Sequence, residues 1–99
     1  MKAVRLRRVA KQDLREAVTW YRKRDPQLAI RFLDEVYKTL AMIEKFPSTG
    51  GMVYGVDDPQ TRQLPVDNFP YHVVFRRSPE RTSVLAVAHS RKKPGYWDD

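Results

Sequence analysis

Asp25-Pro26 is the point in this chain that most narrows its possible folds. On either side of it, apolar residues recur with the period of an α-helix. Leu14, Ala17, Val18 and Tyr21 fall at i, i+3, i+4 and i+7, which predicts an amphipathic helix over about 11–24. After the junction, Ala29, Phe32, Leu33, Val36, Leu40 and Ile43 share one face of a second, longer helix. That helix stops at Phe46-Pro47, because a proline disfavours helical geometry at the residue before it. At the junction, Asp25 can cap new amides, and Pro26 suits a first helical position where its missing N–H is not needed. So short a link makes the two helices antiparallel neighbours. A helical hairpin of this kind needs another layer on which to bury its apolar face.

The period elsewhere supplies that layer. Val4 and Leu6 alternate with Arg5 and Arg7, the signal of a half-buried strand. Residues 48–59, with Gly50, Gly51, Gly55 and Pro59, break every period and predict a loop. Three strand-like runs follow. Arg62, Leu64 and Val66 alternate, with Pro65 pushing this run toward a sheet edge. Tyr71, Val73 and Phe75 oppose His72, Val74 and Arg76, and Thr82 to Ala88 forms the last run. Asp67-Asn-Phe-Pro70 and Ser78-Pro-Glu-Arg81 are the turns between them. The predicted order is β-α-α-β-β-β, a two-layer α+β fold with a helical hairpin packed on a small antiparallel meander. The hairpin covers one face of the sheet and leaves the other, or an edge, free. Residues 1–99 make one domain, since a chain of this length holds a single modest core.

Charge and residue usage bound the chemistry. Nineteen Lys and Arg against twelve Asp and Glu give +7, which favours a polyanionic or acidic partner. With no cysteine there are no disulfides or thiolate ligands, and the usage fits a reducing compartment. Met1 to Arg8 contains no signal-peptide run and nothing reaches membrane-span length, so a cytoplasmic protein without a membrane partner is expected. His72 and His89 lack metal-ligand spacing, and neither a phosphate-binding loop nor a serine elbow occurs. No metal and no cofactor are expected.

What remains is metal-free polar chemistry around the final strand. Val84-Leu-Ala-Val-Ala88 leads to His89, then Arg91, Lys92 and Lys93, a Pro94-Gly95 turn, and Tyr96-Trp97. RNA cleavage by its own 2′-hydroxyl needs a base, a cation on the phosphate and an acid. His89 has the titration range for acid or base, and Arg62, Arg76 or Arg91 the geometry for a phosphate. Tyr96 or Trp97 can stack on a base. Each group also has a plainer role: His89 as a hydrogen-bonded strand end, the basic run as a solvated turn, Tyr96 and Trp97 as a C-terminal anchor.

The element order resembles the RelE/ParE superfamily of bacterial toxins, also called plasmid stabilisation proteins. The resemblance is carried by Asp13-Leu-Arg-Glu-Ala-Val-Thr-Trp-Tyr21, Ala29-Ile-Arg-Phe-Leu-Asp-Glu-Val36, Phe46-Pro47 with Gly50, and Arg62-Gln-Leu-Pro-Val66. Phe69-Pro-Tyr71, Val84-Leu-Ala-Val-Ala-His89 and Pro94-Gly-Tyr-Trp97 complete it. It implies the toxin of a type II toxin–antitoxin system, held by a cognate antitoxin protein and reaching operator DNA only through the antitoxin complex. Its target would be DNA gyrase, as for ParE-like members, or mRNA on the ribosome, as for the metal-free RelE-like endoribonucleases. A nuclease would place its catalytic set at His89, Arg62 and Tyr96. Partner or nucleic-acid contacts would fall on Arg76, Arg91, Lys92, Lys93 and Trp97. This chain departs from the RelE-like pattern at three places. His72 stands where arginine is common, Gly51-Met-Val-Tyr-Gly-Val56 offers no catalytic Lys or Glu, and a six-residue basic stretch separates His89 from Tyr96. The nearer likeness is to ParE-like chains, with a non-toxic basic binding module as a further alternative.

Overall fold

A computed structural model describes residues 4–98. The reading of Met1 to Ala3 lies outside the described residues. Strand β1 (Val4–Leu6) leads into helix α1 (Arg8–Arg24) and helix α2 (Pro26–Lys45). There follow β2 (Gly51–Met52), β3 (Thr61–Pro65), β4 (Tyr71–Arg76), β5 (Thr82–His89) and a 3₁₀ turn (Tyr96–Asp98). The strands form one sheet in the order β1-β5-β4-β3-β2. All pairs are antiparallel except β1 with β5, so the meander becomes a mixed sheet. β2 falls inside the expected loop. Two residues are too few to show a period, and β3 recruits them as an edge.

Asp25 ends one helix and starts the next. Its N–H donates to the Tyr21 carbonyl (2.8 Å), while its carboxylate accepts from the Gln27 N–H (3.0 Å). Asp25→Ala is expected to lower stability by about 1 kcal/mol in urea denaturation, the usual cost of an N-cap. α1 begins three residues earlier than its apolar period suggests. The Arg7 N–H donates to the Val84 carbonyl (2.9 Å) and its carbonyl receives the Lys11 N–H (3.0 Å), so the chain passes from sheet to helix within one residue.

The hairpin buries Ala10, Ala17, Tyr21, Ala29, Phe32, Val36 and Ile43 against Val73, Phe75, Val84 and Val87. Phe32 packs edge-on to Phe69 and Tyr71, at 5.2 and 5.0 Å between ring centroids. The opposite sheet face, expected to be free, has a roof of its own. Val74, Ala86 and Ala88 lie under Val53, from the loop after β2, and under Trp97 from the C-terminal turn. The reason is compositional: β4 and β5 carry consecutive apolar residues, which pleating sends to both faces, so both need cover. Gly50 lets the loop close. Its φ is +95°, and a Cβ there would stand 3.0 Å from the Gln63 carbonyl oxygen and the Phe75 ring. No helix among the described residues is long and apolar enough to cross a membrane.

Candidate functional site

β1 covers the edge of β5 only as far as Val84. Just beyond, the ladder between β4 and β5 slips: Phe75 pairs with Val84 but Val74 with Ala86, leaving Leu85 as a bulge. The Val87 N–H then faces an edge with no strand to receive it. Asp13, on the inner face of α1, does so instead, its Oδ2 accepting from the Val87 N–H (3.1 Å). The same oxygen accepts from the Tyr96 hydroxyl (2.5 Å), which ties the C-terminal turn to the first helix. One carboxylate thus joins α1, β5 and the C-terminus.

Between α1, the end of β5 and this turn lies a cleft of about 350 Å³. Asp13, Glu16, Trp20, Tyr21, Tyr71, His89, Lys92 and Tyr96 contribute to its walls. His89 is the last residue of β5, edge-on to Tyr71 at 5.1 Å, and its Nδ1 accepts from the Arg91 N–H (3.1 Å). With Nδ1 an acceptor, the neutral ring carries its proton on Nε2. Lys92 Nζ stands 4.0 Å over the Tyr96 ring.

Burial raises the Asp13 pKa above 3.8, against the lowering effect of the Tyr96 and Val87 hydrogen bonds and of the Lys92 charge. Burial also pushes the Tyr96 phenol strongly upward, helped by its bond to the Asp13 carboxylate, so it is neutral at physiological pH. Tyr71 is raised for similar reasons. Asp58 is shifted the other way, because the Gln60 N–H and the Thr61 hydroxyl stabilise its charged form. Carboxyl NMR should therefore find Asp13 titrating above, and Asp58 below, the ordinary 3.8. The stability linked to Asp13 is full below the unfolded value and declines as the pH rises through the raised folded one. For Asp58 it is present above the unfolded value and declines as the pH falls through the lowered one.

The candidates from the sequence divide in space. His89, Tyr96 and Lys92 meet in the cleft. Arg62 does not join them: it pairs with Phe75, four residues along β4 from the Tyr71 that faces His89, about 13 Å by strand rise alone. Its Nε donates to the Pro59 carbonyl (2.9 Å). Arg76 lies at the same far end, its Nε 3.2 Å from Asp58 Oδ2. Arg91 and Lys93 are exposed in the turn after β5, whereas Trp97 is 9% exposed and part of the outer-face roof. No three His, Asp or Glu side chains among the described residues gather into a metal-holding group. Sequence reasoning passed over Asp13 as a site residue. Its signal is a carboxylate between Ala10 and Ala17 on the buried stripe of α1, where a charge needs a partner.

These features define a small α+β protein in which Asp13, His89, Lys92 and Tyr96 meet beside the end of β5, under the C-terminal turn. A solved structure described as the chromosomal ParDE TA system from P. aeruginosa has a similar fold. The TM-score is 0.75 at 18% identity, covering 90% of this chain and 96% of that one. The family model for the ParE toxin of type II toxin-antitoxin systems, parDE, matches residues 4–94. The chain belongs to the ParE toxin family. No curated protein matches it.

Proposed function

We propose that this protein is a growth-arresting toxin that inhibits DNA gyrase and is neutralised by a cognate antitoxin. The family match over residues 4–94 carries this reading. The layout of polar groups supports it over RNA cleavage. A metal-free nuclease needs acid, base and phosphate-binding cation around one phosphate. Here the cation beside His89 is Lys92, which stands over the Tyr96 ring, while Arg62 lies far along the strand and the Tyr96 hydroxyl is engaged by Asp13. The +7 charge suits an acidic antitoxin, through which any operator contact would be made.

Induction alone should stop growth, and co-induction with the antitoxin encoded beside it should restore growth. Primer extension on translated mRNA should show no new ends. Cuts within codons that disappear in His89→Ala would replace this reading with the ribosome-dependent nuclease. Normal growth with soluble protein present would remove the toxin reading itself.

A further inference from the structure

The roof of Trp97 and Val53 covers Val74, Ala86 and Ala88, and the outer face of the sheet continues beyond it. The register builds the next row: Arg5 stands opposite Ser83, Ser83 opposite Arg76, and Arg76 opposite Thr61. Residues paired across neighbouring strands share a face, so Arg5 and Arg76 flank Ser83 with their backbones about 10 Å apart, two strand spacings. Val4 and Leu6 pack into the hairpin core, which turns Arg5 outward, and alternation puts the still extended Arg7 on the same side. Arg5 and Arg7 are exposed, and neither is in a salt bridge among the described residues. The Arg76 side chain is 61% exposed and is held by one edge: its Nε lies 3.2 Å from Asp58 Oδ2, leaving the terminal NH₂ groups over. Asp58 is in turn fixed by the Gln60 N–H and the Thr61 hydroxyl. Charge on these strands is one-sided. β1, β3, β4, β5 and residues 77–81 contain no lysine, and Arg5, Arg62, Arg76, Arg77 and Arg81 stand against Glu80 as the one acid of those segments; Asp57 and Asp58 precede β3. Like charges gathered on one face repel, a cost that a bound anion removes.

We propose that this row binds the phosphodiester backbone of a nucleic-acid duplex, with Arg5, Arg7 and Arg76 each on a phosphate and the Ser83 hydroxyl donating to a phosphate oxygen between them. Arginine forks match phosphate oxygens in pairs. An acidic protein segment fits less well, because protein interfaces centre on apolar anchors. Among the described residues, the exposed large hydrophobic side chains lie on the two helices, at Phe46, or on β2 and the loop after it, and none is in this row. Polar, strongly basic surfaces are those that meet nucleic acid. A single strand is disfavoured, since the row has no aromatic on which bases could stack. Backbone contacts carry no sequence information, so this binding is distinct from operator recognition.

The test is fluorescence anisotropy of a labelled, mixed-sequence DNA duplex titrated with the full chain. Three phosphate contacts predict an affinity that falls about 40-fold between about 50 and about 200 mM salt. Arg5→Gln/Arg7→Gln leaves one contact, so its affinity should be lower and should fall only about fourfold over the same range. Arg22→Gln/Lys23→Gln removes the same charge from the last turn of α1 and should keep the wild-type salt dependence. Ser83→Asp sets a carboxylate between Arg5 and Arg76 without removing either, and should weaken binding about tenfold. An RNA duplex of the same sequence identifies the source of the phosphates, the tighter-bound duplex being the ligand. Single-stranded DNA and a polyglutamate peptide should both bind more weakly than the duplex. Equal losses in the two double variants, tighter binding of the single strand or of polyglutamate, or wild-type affinity in Ser83→Asp would each overturn the assignment. Neither gyrase nor antitoxin is present, so duplex binding and gyrase inhibition succeed or fail separately.

Discussion

Trp97→Ala should lower the unfolding free energy by about 3–5 kcal/mol, the range for deleting a large buried aromatic. Trp97 sits two residues before the end of the chain, where substitutions are ordinarily mild. Here, however, the indole roofs Val74, Ala86 and Ala88 on the face of the sheet opposite the helices. Removing it uncovers Val74, Ala86 and Ala88 on β4 and β5, which Val53 and the half-buried Val56 then cover only in part. It also frees Tyr96, which packs edge-on to it at 5.3 Å and carries the bond to Asp13. Urea denaturation followed by circular dichroism measures the loss. Trp97→Phe keeps an aromatic roof and should lose less than half as much. A wild-type midpoint for the alanine variant would mean the indole contributes no packing.

Asp13→Ala should cost about 2–4 kcal/mol. The substitution leaves the Val87 N–H without an acceptor at a sheet edge and removes the anchor of the Tyr96 hydroxyl. A buried donor left unmade costs about 1–3 kcal/mol. Part of the loss is offset because a carboxylate with a raised pKa is itself unwelcome where it lies. Asp13→Asn, which keeps one acceptor oxygen, should fall between the two. Tyr96→Phe removes the other half of the bond, so a double-mutant cycle with Asp13→Ala should be non-additive by about 1 kcal/mol. Additive losses would show that the two side chains act separately.

The helices and their junction were legible because period, cap and proline agree. At Asp25-Pro26 the local chemistry and the tertiary arrangement ask for the same thing. The strands of the meander were legible from the alternation of Arg62, Leu64 and Val66 and from the short apolar runs around Val73 and Val84 to Ala88, each bounded by turn residues. The roof was not. Val53 is a single apolar residue in a glycine-rich loop, and Trp97 follows a Pro-Gly turn, so neither takes part in a period that would show which face it covers. Distance was equally hidden. Alternation placed Arg62 in phase with Leu64, and both face the hairpin side of the sheet, but a period of two says nothing about separation along the strands. His89 and Tyr96 were found by their residue types, while the Asp13 that organises them was concealed within an otherwise apolar helix stripe.

The central claim is tested most directly with purified protein in a DNA gyrase supercoiling assay. The account predicts concentration-dependent loss of supercoiling, reversed when the cognate antitoxin is added first. Undiminished supercoiling at concentrations well above that of gyrase, from protein shown to be folded and able to arrest growth, would contradict it.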